Sequence, residues 1–139
     1  MKTRREYSDR KLLDAMKDNM ENAKAYLNDD AKMESLFQDF EKKLGQIPKI
    51  GGKAADIAVL CSMIRAYAKK QYTDVSIATI LLSIAALIYV VNPMDIVPDF
   101  MIGIGQLDDA AAIVLVLQMI QMDLNKYKKW QVANGKRDA

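Results

Sequence analysis

Histidine is absent from the 139-residue chain, and cysteine occurs once, at Cys61. Without imidazole there is no His-based metal site and no His-based acid–base chemistry. A single thiol cannot close an internal disulfide, which points to a reducing compartment. Glycine (6) and proline (3) are scarce beside nine methionines and abundant Ala, Leu, Lys and Glu, a balance that favours helix. The opening MKTRREYSDRKLLDAM has no apolar run of the kind a secretory signal needs, so a cytoplasmic address is expected. A further absence is positional. Between Gln71 and Asn125 there is no Lys or Arg, while Asp74, Asp95, Asp99, Asp108, Asp109 and Asp123 all fall in that span. A nucleic-acid groove needs cations there, and a net charge of +2 adds little, so no nucleic-acid partner is expected.

Apolar residues make up 51% of the chain and charged residues 27%, the proportions of one ordered domain. Ser8 or Asp9 can cap a first helix whose Leu12, Leu13, Met16, Met20, Ala23 and Leu27 recur at helical spacing. Asn28, Asp29 and Asp30 interrupt it. A second helix presents Met33, Leu36, Phe37, Phe40 and Leu44 on one face, with Gly45 as its C′ residue. QIPKIGG at 46–52 reads as a turn. A third helix over 53–72 places Ile57, Leu60, Cys61, Ile64, Tyr67 and Ala68 together, and Cys61 reads as a small core residue. Thr73 or Asp74 is positioned to cap a fourth helix, whose residues 75–91 carry no charge. A fifth, predicted over 109–130, is nearly all apolar at first and amphipathic afterwards, with Tyr127 and Trp130. The tail 132–139 reads as frayed. The expected fold is all-α: a bundle of about five helices, two of them very apolar and joined by a Pro/Gly/Asp-rich loop. Residues 1–45 form an amphipathic helical pair within the same bundle, and 46–131 form the main helical domain.

The unusual stretch is the loop YVVNPMDIVPDFMIGIGQLDD at 89–109, with two prolines, two glycines and four aspartates. Taken singly, each acid has a structural use. Asn92 can cap a turn with Pro93 at its first position and Asp95 at its third. Asp99, after Pro98, can accept backbone N–H bonds. Asp108 can cap the fifth helix, and Asp109 falls in its first turn, where the helix dipole favours an anion. Taken together, Asp95, Asp99, Asp108 and Asp109 make an oxygen-rich set suited to Mg²⁺ or Ca²⁺, because a hard cation relieves crowded carboxylates. The spacing matches no EF-hand loop. An Asp pair without His, Lys or Ser support is a poor catalytic set, so no catalytic residue is assigned.

The same residues carry a resemblance. Tyr89-x3-Pro93-x-Asp95-x2-Pro98-Asp99-Phe100, followed by Gly105-x2-Asp108-Asp109, is similar to the pattern Y-L-x-S-P-x-D-L-I-P-D-F-I-P-x-x-G-x-x-D-D of the YkvA-like family, a bacterial domain of unknown function. The likeness runs from the Ile47-Pro48 turn to Trp130. Asn92 stands where the family has Ser, which is neutral for capping, and Gly103 stands where proline is common, which loosens the loop. The resemblance implies a small helical module, described as membrane-associated and found fused to a RING-type ubiquitin ligase in animals. It brings no established catalytic residues.

Residues 75–91 and 110–122 can be read as protein core or as a membrane hairpin. Lys69, Lys70, Lys126, Lys128 and Lys129 at the open ends suit the cytoplasmic side. Against insertion, the second run breaks at Gln118, well short of a bilayer span. Self-association would be a third way to cover surplus apolar surface. The expected function is interaction rather than catalysis, with itself, a membrane protein or the cytoplasmic face of a membrane. The alternative is a divalent-cation-dependent protein built on the four aspartates.

Overall fold

In a computed structural model the described residues are 10, 20–45, 53–91 and 109–135, with backbone alone at 109–112. Among them are six α-helices and no strand: α1 (Met20–Leu27), α2 (Asp30–Leu44), α3 (Ala54–Ala68), α4 (Ile77–Val91), α5 (Asp109–Met119) and α6 (Gln121–Ala133). The chain is all-α, as its composition and periodicity require.

The bundle is built around α4. Its sequence IATILLSIAALIYVV is apolar on every side, so no face of it can be left to water. The fold satisfies this by packing α1, α2, α3 and α5 around it. Every residue from Ile80 to Val90 is buried. Ser83, buried in mid-helix, donates to the Thr79 carbonyl oxygen at 2.7 Å, so its hydroxyl is satisfied within α4. The helices that cover α4 are amphipathic. In α2, Met33, Leu36, Phe37 and Phe40 are buried at the spacing of a single helical stripe. Asp29 caps that helix by accepting from the Lys32 amide at 3.0 Å, which gives the predicted break at 28–30 its purpose.

Several local expectations are corrected. Gly45 follows α2 but lies in the right-handed region at φ −63°, so it does not supply a left-handed C′ turn. The predicted face of α3 is rotated: Ile57, Leu60 and Ile64 are buried, but Val59, Met63 and Ala66 join them, while Cys61 and Tyr67 are half-buried. That helix ends at Ala68, four residues before the expected limit. The reason is Lys70, held in the left-handed region at φ 60°. Its amide donates to Tyr67 O at 3.0 Å and the Gln71 amide to Ala66 O at 2.8 Å, which is a Schellman ending with a lysine where glycine is usual.

Neither Thr73 nor Asp74 caps α4. Ser76 does, its Oγ accepting from the Thr79 amide at 3.1 Å. Asp74 instead pairs with Lys126 at 2.9 Å. The predicted fifth helix is two helices divided at Ile120, where φ −107° and ψ 16° leave helical values. Each half serves a different partner, α5 packing on α4 and α6 on α3. The second half runs on to Ala133, beyond the predicted end, and Gly135 at φ 67° follows it.

Candidate functional site

Of the residues singled out by the loop motif, Tyr89 is fully buried in α4 and Asp109 opens α5. Pro93, Asp95, Pro98, Asp99, Phe100, Gly105 and Asp108 lie outside the described residues, and with them three of the four aspartates of the cation set, all but Asp109. Among the described residues no group of three or more His, Cys, Asp or Glu could hold a metal ion.

A different polar constellation forms where α3 meets α6. Ser62 Oγ and Tyr127 Oη share a 2.6 Å hydrogen bond, and Gln131 Nε2 donates to Ser62 Oγ at 3.3 Å. Gln131 is 8% exposed, and its Oε1 takes no hydrogen bond among the described residues. A buried carbonyl oxygen without a donor is costly, so this one is unusual. Lys128 Nζ reaches Asp56 Oδ1 at 3.1 Å and fastens the same two helices further along. The rings of Tyr72, Tyr127 and Trp130 pack together with centroids 4.9–5.6 Å apart.

Beside this seam lies an open cavity of about 230 Å³ lined by Ser62, Arg65, Lys69, Gln71, Trp130 and Gln131, among others. Arg65 is positioned before any ligand arrives. Its Nε and Nη2 donate to the two carboxylate oxygens of Glu34 at 3.2 and 3.4 Å, and its guanidinium lies over the Phe37 ring at 4.2 Å. Lys69 has no ion pair among the described residues. The Schellman ending around Lys70 places Lys69 and Gln71 at the rim. Cys61, one residue from Ser62, is no part of this chemistry. Burial pushes its thiol up to about 11, against the pull of Arg65 and with a push from Glu41, so it stays protonated and unreactive at neutral pH.

Sequence reading did not single out this cavity. Ser62, Arg65 and Lys69 stand at i, i+3 and i+7 of one helix, and Tyr127, Trp130 and Gln131 at i, i+3 and i+4 of another. The signal was a polar stripe on the otherwise apolar α3. Its meaning depended on which helix would face it.

A second feature is apolar. Where Thr79 Oγ1 donates to Asp123 Oδ2 at 3.1 Å, α4 and α6 are tied together beside a groove of about 310 Å³. Met20, Ala78, Thr79, Leu82, Met119 and Ile120 line it. At this end Ile77 is 50%, Met119 47% and Met122 85% exposed. Met122, Lys126 and Lys129 follow at i, i+4 and i+7 along α6, all exposed. Among the described residues no helix is long and apolar enough to cross a membrane.

Comparison with known proteins gives this geometry its family. The domain described as "protein of unknown function (DUF1232)" matches residues 79–115, which take in most of α4 and the loop motif. A relative described as an uncharacterized membrane protein, YkvA, of Bacillus subtilis (strain 168) is 33% identical over 103 residues, 66% of this chain and 97% of its own length. No solved structure matches. The chain belongs to the YkvA-like family.

Proposed function

We propose that this chain is an interaction module that rests on an anionic membrane surface through the exposed end of α4, α5 and α6. The observation that carries the reading is the cluster of Ile77, Met119 and Met122 around an apolar groove, with Lys126 and Lys129 continuing along the same face of α6. Exposed methionine and isoleucine side chains can enter the headgroup boundary, while lysine stems reach along it and keep their charges among anionic headgroups. Lys129, which has no ion pair among the described residues, contributes about 1 kcal/mol near such a surface at physiological salt, whereas Lys126 is already paired with Asp74. The B. subtilis relative's description as a membrane protein supports this direction. α4, at 15 residues, reaches only about 22 Å, less than the ~30 Å of a hydrocarbon core. It has already spent its apolar surface on the bundle, so attachment here is to a surface.

The test is sedimentation with phosphatidylglycerol-containing vesicles. The full chain is expected to pellet with them at low salt and to be released by high salt. Met119→Asp with Met122→Asp is expected to remain in solution, with an unchanged circular dichroism spectrum. Equal pelleting of the double variant would sink the reading. A dimer in sedimentation velocity that this variant dissociates, without vesicle binding by either protein, would show the patch to be covered by a second copy instead.

A further inference from the structure

The geometry points to a second binding site, for a hydroxyl-bearing phosphate ester, in the cavity between α3 and α6. Two features converge there. The first is charge. Lys69 and Arg65 line the cavity, and only Arg65 is paired, through Glu34. The three groups together leave an excess of one positive charge, suited to a singly charged phosphodiester or the monoanion of a monoester. The bidentate contact to Glu34 and the stacking on Phe37 hold Arg65 still, so its remaining N–H donors are already oriented.

The second feature is the buried carboxamide of Gln131. Its Nε2 is engaged by Ser62, while its Oε1 lacks a donor among the described residues. Gln131 lines the cavity while its Oε1 is itself enclosed, so a turn of the carboxamide toward the cavity would let a ligand hydroxyl satisfy that oxygen. The Schellman ending at Lys70 sets its two neighbours, Lys69 and Gln71, on the cavity lining. At about 230 Å³ the cavity is smaller than the ~300–1,000 Å³ of drug-sized sites, so the ligand is small. A glycerol phosphate group fits the chemistry, whether free or as the headgroup of a lipid.

Trp130 is the chain's single tryptophan and lines the cavity, so its fluorescence reports occupancy directly. Glycerol 3-phosphate, added to the full chain at about pH 5, where a phosphate monoester is mainly the monoanion, and at ionic strength matched with sodium chloride, is expected to change that fluorescence saturably. Lys69→Ala is expected to weaken the response roughly tenfold, as does loss of a charge-assisted hydrogen bond. Gln131→Met, which alters no charge, is expected to weaken it as well while leaving the circular dichroism unchanged. A response to phosphatidylglycerol vesicles alone, with the same sensitivity to Gln131→Met, would assign the group to a lipid headgroup. A response to the soluble ester alone would assign it to a free metabolite. No saturable response to either, or one that both variants leave intact, overturns the site. The membrane reading fails separately: Met119→Asp with Met122→Asp acts on vesicle binding and leaves the soluble ester's response in place.

Discussion

α4 and α6 are of similar length, 15 and 13 residues, and are held in opposite ways. The first has no charged side chain and is buried from Ile80 to Val90, so hydrophobic burial from every side holds it. The second buries only Leu124, Tyr127 and Gln131. It is held by directional contacts: Tyr127 to Ser62, Lys128 to Asp56, and Asp123 to Thr79. Non-directional burial gives the molecule its core and tolerates no polar atom that is not internally satisfied. Directional contacts leave room for cavities, exposed methionines and an unmatched carboxamide. The candidate sites therefore lie along α6 and its partners.

Breaking the α4 side should cost most. Leu87 is wholly buried, and Leu87→Ala is expected to lose about 2–5 kcal/mol through lost burial and the cavity left behind. Urea unfolding would show this as a lower midpoint. A loss below about 1 kcal/mol would mean that α4 is not the packed centre of the bundle.

On the α3 side the expected effect is smaller and depends on pH. The Cys61 thiol is raised from 9.0 to about 11 in the folded chain. The unfolded chain therefore gives up its proton first. Ionisation stabilises the unfolded state as pH climbs from 9 to 11, and stability falls across that window by up to about 2–3 kcal/mol. Urea midpoints at both ends of the window should fall further for the wild type than for Cys61→Ala, in which this titration is absent. Parallel slopes would show that the thiol is solvated.

The smallest effect has the opposite sign. Lys70 pays for its left-handed backbone at the end of α3, whereas α6 is followed by Gly135 at φ 67°, which does so freely. Lys70→Gly is expected to raise stability by about 1 kcal/mol, measured as a higher melting temperature. A destabilised variant would place the value of Lys70 in its side chain instead.

Much of the fold was legible in residue order because it depends on local pattern. The 3.6-residue stripe of Met33, Leu36, Phe37 and Phe40 leaves one option for α2. A run such as 77–91 without a charge must be central or inserted in lipid. The breaks were less legible. Ile120 interrupts α5–α6 without a proline or glycine, because the two halves dock on different helices, and no local signal records that. Ser76 displaced Asp74 as a cap because Lys126, 52 positions away along the chain, claims the Asp74 carboxylate.

The sequence by itself determined that this is an all-α chain with an apolar centre, and its loop motif pointed to the family that comparison then established. Those properties follow from composition and periodicity, which act within a few turns of helix. The tertiary structure alone decided that the polar stripe Ser62, Arg65, Lys69 would face Tyr127, Trp130 and Gln131 and that Met119 and Met122 would stay in water. Contacts between residues more than sixty positions apart depend on how helices dock, and docking is set by the shape of the whole core.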